Sequence, residues 1–182
     1  GTKSAPMGSH GKRQVGLPQS CLFPAAWKTL GVSAPLLENY VSFQHELSVI
    51  CVRGRGGADV FYPPVQHVHR EGVLRQSTSP APSVSPELAA LAIDYCRRIM
   101  DHVEYVGVLA LELFSVDGAL FANEMAPRVH NSGHWTIEGA ETSQFENHLR
   151  AVLSLPLGAT TPSGQSLMFN IVGHIPPLER DL

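Results

Sequence analysis

Two glutamates hold the chemistry that the sequence offers most plainly. Glu112 and Glu124 lie in Gly107-Val-Leu-Ala-Leu-Glu-Leu-Phe-Ser-Val-Asp-Gly-Ala-Leu-Phe-Ala-Asn-Glu-Met125, two alternating stretches on either side of Asp117-Gly118. Side chains of a strand alternate between faces, so register decides whether the carboxylates meet, and a slip of one residue moves a whole strand across the sheet. If Asp117-Gly118 alone make the turn, Glu112 pairs with Asn123 and the glutamates fall on opposite faces. If Val116-Asp117-Gly118 make the loop, with Gly118 left-handed, Glu112 pairs with Ala122 and Glu124 with Ala110. The carboxylates are then diagonal neighbours about 7–8 Å apart. This second register is preferred, because it gathers Leu109, Leu111, Leu113, Phe121 and Met125 on one apolar face. Carboxylates so placed repel unless a cation or a shared proton lies between them. Hard oxygen ligands on a rigid sheet suit Mg²⁺, which takes one or two carboxylates and completes its shell from water and phosphates. Small Ala110 and Ala122 leave room for a ligand. Two glutamates on an open solvated face are equally compatible with the spacing.

The next stretch, Ala126-Pro-Arg-Val-His-Asn-Ser-Gly-His-Trp-Thr136, concentrates Arg128, His130, Asn131, Ser132 and His134. Such a loop straight after an acidic strand end reads as an anion pocket beside a metal, or as a surface loop capping its own backbone. The pairs His67-x-His69 and His130-x-x-x-His134 raise a zinc hydrolase, although ordinary strand polar residues account for His67 and His69 more simply. A serine hydrolase has no G-x-S-x-G elbow to stand on.

These side chains need a sheet with helices packed on it. Glu46 to Arg53, Asp59 to Tyr62 and Val65 to His69 read as strands of an antiparallel meander, with Gly54, Gly56 and Gly57 at a turn. Leu36 to Val41 reads as a further strand. Gln76 to Ser85, containing Pro80 and Pro82, reads as an exposed connection. Pro24 to Leu30 is a short helix closed by Gly31. Ser85-Pro86-Glu87 caps a longer one with Leu88, Leu91, Ala92, Tyr95, Cys96 and Ile99 at helical spacing. Ser143 and Glu146 have capping-box spacing for a helix presenting Phe145, Leu149, Val152 and Leu153 before Pro156. The class is α+β, antiparallel sheets with packed helices.

Over 182 residues, 13 Lys+Arg against 16 Asp+Glu leave a net charge of −3, which excludes a nucleic-acid binder driven by bulk basicity. With 43% hydrophobic residues the chain can fill a core, and a domain of this length buries roughly 70% of its unfolded surface. Cys21, Cys51 and Cys96 form no C-x-x-C pair and suggest neither a disulfide framework nor a thiolate zinc site. No apolar run approaches the 18 or so residues of a membrane span, and no secretory leader is visible. A cytoplasmic protein with no membrane partner is expected. A start at Gly1 rather than Met reads as a fragment.

The run Asn123-Glu-Met-Ala-Pro-Arg-Val-His-Asn-Ser-Gly-His-Trp-Thr-Ile-Glu-Gly-Ala-Glu-Thr-Ser-Gln-Phe-Glu-Asn-His-Leu-Arg150 closely resembles the signature of the N5-carboxyaminoimidazole ribonucleotide synthetase family, ATP-grasp ligases of purine biosynthesis. Leu36 to Val52, Val68 to Arg75, Gly107 to Phe114, Pro156 to Gly158 and Met168 to Gly173 extend the resemblance over most of the chain. It implies an ATP-grasp fold, ATP and Mg²⁺ as cofactors, and 5-aminoimidazole ribonucleotide and bicarbonate as substrates. It also admits a homodimer. Glu112 and Glu124 match the Mg²⁺ ligands, with Asn123 beside them at the nucleotide. Glu38, Tyr40 and Val41 match the hinge that holds adenine, Glu46 the acid on the ribose hydroxyls, and His69 a nucleotide-site histidine. Arg128 and His130 match residues near the substrate phosphate and the reacting centre. Lys3 matches a phosphate-reaching lysine ahead of a glycine-rich loop, here Gly8, Gly11, Lys12 and Gln14.

That loop departs from the family's Gly-Tyr-Asp-Gly-Lys/Arg-Gly-Gln. Ser9 and His10 replace the Tyr-Asp pair, and Arg13 replaces a glycine that lets backbone N–H groups close over phosphate. The resemblance further implies residues 1–155 as a partial ATP-grasp region lacking the N-terminal α/β domain, and 156–182 as the start of a C-terminal domain. The isolated chain is therefore expected to carboxylate poorly, the alternative being a nucleotide-binding remnant without turnover.

Overall fold

The computed structural model describes residues 23–31, 33, 38–70 and 73–173. They fall into two compact units, one drawn from Gly1–Ser42 and His69–Leu74, the other from Phe43–Val68 and Arg75–Leu182. Lys3, Gly8, Ser9, His10, Gly11, Lys12, Arg13, Gln14 and Cys21 lie outside the described residues.

In the smaller unit, helix α1 spans Phe23–Leu30. Pro24 sits in its first turn, and Gly31 follows at φ +64°, a left-handed exit that a glycine takes without a Cβ penalty. The expected strand does not form over Glu38 to Val41. Glu38, Asn39 and Tyr40 are exposed, in irregular chain, and an exposed run containing Asn gains little from a pleated ladder.

The larger unit is organised by β1, His45–Arg53. Leu47 to Val52 is buried throughout, as suits a strand covered on both faces. Strands β2 (Asp59–Phe61), β3 (Val65–Arg70), β4 (Val73–Ser79), β5 (Gly107–Val116), β6 (Ala119–Ala126) and β7 (Ser166–Phe169) complete the sheet. The order is β6-β5-β1-β3-β4-β7, with β2 also on β1. His69 and Arg70 at the end of β3, and Val73 and Leu74 at the start of β4, belong to the smaller unit.

Strand β4 overturns part of the connection expected from Gln76 onward. Gln76 to Ser79 pair with β7, Ser77 and Ser79 are buried, and irregular chain begins only at Pro80. A Gln-Ser-Thr-Ser run reads as loop, but here the ladder takes its backbone groups and the buried His67 takes the Ser77 hydroxyl, while the buried Ser79 hydroxyl has no partner among the described residues.

Helix α2, Pro86–Val103, starts where Ser85 Oγ accepts from the Leu88 N–H at 3.2 Å and ends at left-handed Glu104. Its Ala92, Cys96 and Met100 pack on Leu47, Val49, Cys51, Leu109, Leu111, Leu113 and Leu120 of one sheet face. The other face buries Ile50, Val52, Val65, Val108 and Ala110 under Tyr62, Trp135 and Ala151. Ala151 lies on α4, Gln144–Val152, which Ser143 caps through the Glu146 N–H at 3.2 Å. The start of α4 is as expected, but its buried face is not. Leu149 and the following Leu153 are exposed, whereas Gln144, Asn147 and Ala151 are buried. Polar residues go inward because they find partners there. Asn147 accepts from the Gly158 N–H at 2.8 Å and donates to the Tyr62 hydroxyl at 2.9 Å.

Candidate metal and nucleotide site

The β5–β6 hairpin brings the two glutamates together by a route different from the one expected. Val116 pairs with Ala119 across a two-residue turn. Asp117 at φ +48° and Gly118 at φ +80° are both left-handed, the combination a type I′ turn demands. Gln44 steadies it, donating from Nε2 to Asp117 Oδ1 and accepting the Asp117 N–H, both at 2.9 Å. The three-residue loop is thus corrected. A register shift between Glu112 and Leu113 does its work, pairing Leu113 with Ala122 and Glu112 with Glu124 and leaving Asn123 as the extra residue of a bulge. Glu112 and Glu124 therefore share a face as direct rather than diagonal neighbours. The expected apolar face also changes: Phe121 pairs with Phe114 on the glutamates' face, and Met125 is exposed on the edge strand.

The same sheet face carries a polar row inward from the pair. Ser48 lies directly opposite Glu112 on β1. Its Oγ is 2.7 Å from His67 Nε2, and His67 Nδ1 is 2.9 Å from Ser77 Oγ, with all three residues buried. Both His67 nitrogens are thus engaged within the sheet, which removes the zinc reading for that residue. Glu46 sits on this face too, opposite Phe114 on one side and His67 on the other.

The loop after β6 returns to the carboxylates. Ala126-Pro127-Arg128-Val129 leads into a 3-10 turn over Asn131–Gly133 and the short helix α3, Thr136–Gly139. His130, 4% exposed, places Nε2 3.6 Å from Glu112 Oε1. Asn123 Nδ2 donates to Glu112 Oε2 at 3.4 Å. One donor atom from each of Glu112, Glu124 and His130 lies within 4.8 Å of the others. No second histidine joins this group among the described residues. His134 is exposed and stacks on Phe145 at 5.9 Å. Arg128 is exposed, its Nη1 donating to the Val129 carbonyl at 3.0 Å. Two carboxylates, with no thiolate, form a hard oxygen donor pair that fits Mg²⁺, which takes one or two carboxylates and completes its shell from water and phosphates.

Sequence reasoning brought Glu112, Glu124, Asn123 and His130 to one place. It missed Ser48, Ser77 and Gln144, buried polar residues whose partners lie on other elements, beyond the reach of any local spacing rule. Glu38, Tyr40, Val41 and His69 lie in the smaller unit.

A family model for the ATP-grasp domain matches residues 2–145. The chain belongs to the ATP-grasp family. Its sheet with packed helices has the ATP-grasp fold, of the α+β class. This ATP-grasp chain is 51% identical over 176 residues to the N5-carboxyaminoimidazole ribonucleotide synthase of Pseudomonas aeruginosa, covering 97% of itself and 48% of that protein. The crystal structure of the Thermus thermophilus N5-carboxyaminoimidazole ribonucleotide synthetase matches at a TM-score of 0.84 and 56% identity, over 87% of this chain and 44% of that one. The Aspergillus clavatus N5-carboxyaminoimidazole synthase, in complex with ADP and 5-aminoimidazole ribonucleotide, matches at 0.77 and 35%, over 83% of this chain and 41% of that one. The chain thus spans about half the length of the relatives it matches. No described helix is long and apolar enough to cross a membrane.

Proposed function

We propose that this ATP-grasp chain is the nucleotide- and metal-binding part of an N5-carboxyaminoimidazole ribonucleotide synthase. In that reaction ATP phosphorylates bicarbonate, giving ADP and carboxyphosphate. Carboxyphosphate releases carbon dioxide and phosphate, and the exocyclic amine of 5-aminoimidazole ribonucleotide captures the carbon dioxide and loses a proton. The single observation that carries the reading is the bulge at Asn123, which sets Glu124 opposite Glu112 on the face that also bears Glu46.

Glu112 and Glu124 would hold Mg²⁺, which when bound supplies neutralisation of phosphate charge, and Asn123 stands beside them at the nucleotide. The protein's share is positioning and charge compensation rather than covalent catalysis. Glu46 accepts from the ribose hydroxyls, and Glu38, Tyr40 and Val41 hold adenine chiefly through backbone groups. His69 joins the nucleotide site, while Lys3, Gly8, Gly11, Lys12 and Gln14 serve the phosphates. Arg128 is a catalytic group with His130, near the phosphate of the imidazole substrate and the reacting centre. His130 is the catalytic group nearest the reacting centre, with Nε2 turned to Glu112. The same reading makes residues 1–155 the ATP-grasp region and 156–182 the opening of a further domain, in a cytoplasmic enzyme that forms homodimers.

ATP titration of the purified chain tests the proposal. Binding that requires Mg²⁺ and is lost in Glu112→Gln is expected, and absence of ATP binding overturns the reading. Arg13, Ser9 and His10 in the phosphate loop favour a second reading, binding without turnover. An assay of ADP and carboxylated product with ATP, Mg²⁺, bicarbonate and substrate separates the two.

A further inference from the structure

Gln144, the first residue of α4, is wholly buried, and its side-chain amide is bonded in both directions to a single residue. Oε1 accepts from the His130 N–H at 3.0 Å, and Nε2 donates to the His130 carbonyl at 2.6 Å. A neighbouring strand would offer the same donor and acceptor, but no described strand pairs with His130 and the amide takes that place. The backbone N–H of Gln144 donates to Thr136 Oγ1 at 2.9 Å, and that hydroxyl donates to the Gly133 carbonyl at 2.7 Å. Gly133 closes the remaining side: a Cβ there would stand 2.7 Å from the Gln144 amide carbon and from its Oε1. The loop is wrapped round the amide, with no space for a side chain at 133.

The group held in this way is the His130 imidazole. Its Nδ1 lies 2.8 Å from Ser132 Oγ and accepts the Ser132 N–H at 3.4 Å. A backbone N–H can only donate, so Nδ1 is the acceptor and the neutral ring keeps its proton on Nε2, the nitrogen facing Glu112. With the main chain fixed from one side and Nδ1 from another, the ring has little freedom left.

We propose that Gln144 is a positioning residue, clamping the His130 main chain so that the imidazole presents Nε2–H beside Glu112. This deepens the ligase reading and rests on it for the kinetic measurement only. Gln144→Glu keeps the acceptor and the size but turns an oxygen toward the His130 carbonyl. Gly133→Ala leaves the amide intact and pushes it from the opposite side. In ¹⁵N-histidine-labelled chain, long-range imidazole spectra taken with the ring neutral should show wild-type His130 as the Nε2–H tautomer alone. The signal is assigned by its loss in His130→Gln. Both clamp variants should show mixed tautomers while remaining folded. Where turnover is measurable, kcat should fall about 10²-fold, the scale of an ångström-sized misplacement, with KM for ATP unchanged.

A folded Gln144→Glu or Gly133→Ala protein that keeps the single tautomer would overturn the proposal. Unfolding of both would overturn it as well, because the amide would then be a requirement of the fold rather than a device for His130. The tautomer measurement needs neither ATP binding nor turnover, so a chain that binds no ATP defeats the ligase reading without touching the clamp.

Discussion

Glu124→Gln should stabilise the metal-free protein while weakening its hold on Mg²⁺. The two carboxylates approach within 4.8 Å, and two unit charges at that distance repel by about 3.5 kcal/mol at an effective dielectric of 20 and about 0.9 kcal/mol in water. The Glu112 side chain is 15% exposed and Glu124 lies open on the edge strand, so the site falls between these limits. Donors from Asn123 and His130 offset part of the repulsion on Glu112. A net gain of about 1–2 kcal/mol remains, and at 2–4 °C per kcal/mol for a chain of this size the Tm should rise by about 2–8 °C. Thermal unfolding in chelator-treated, low-salt buffer measures it. Added Mg²⁺ should raise the wild-type Tm, by the equivalent of about 2.7 kcal/mol at a hundredfold excess over Kd, and should leave the variant nearly unmoved. At about 1 M salt, where the screening length is near 3 Å, the metal-free gap should shrink. A variant less stable than wild type without metal, or a gap indifferent to both Mg²⁺ and salt, would refute the shared field on which the site rests.

Glu46→Ala should weaken ATP binding more than Mg²⁺ binding, because Glu46 lies two residues along β1 from the position opposite Glu112; unchanged ATP affinity by calorimetry would remove it from the ribose. Gly118→Ala forces a Cβ into a left-handed position at φ +80° and should cost about 1 kcal/mol. Its Mg²⁺ affinity should nevertheless match wild type, since the bulge at Asn123 and not the turn sets the pair; a parallel loss of Mg²⁺ would reverse that assignment. Burial pushes the Tyr62 phenol up to about 12, against the opposing Asn147 hydrogen bond. The folded state therefore keeps a proton that the unfolded chain releases near 10, and stability should hold below about pH 10 and fall from there to about pH 12. Tyr62→Phe should abolish that alkaline step in a pH series of unfolding curves, at a neutral-pH cost of about 1 kcal/mol for the lost bond to the Thr142 carbonyl.

Much of the molecule is written locally. The caps at Ser85 and Ser143, the left-handed exit at Gly31 and the buried run of β1 follow from residue type and spacing, because each depends on contacts within a turn or two or on the alternation of one strand. The acidic pair and the histidine loop were visible in the same way, and so was the family, since Asn123 to Arg150 preserves an unbroken signature. How the pair is assembled was a tertiary decision. Both turn lengths were open to the chain, and Gln44, 73 residues away from Asp117, steadies the shorter one while the bulge restores the face. Register is a property of two strands and their neighbours, so one strand's alternation cannot fix it. Burial of Gln144, Asn147 and the Ser48–His67–Ser77 row was equally out of reach. A polar side chain goes inside only when partners from elsewhere in the chain satisfy it, and the sequence of the element that carries it does not name them.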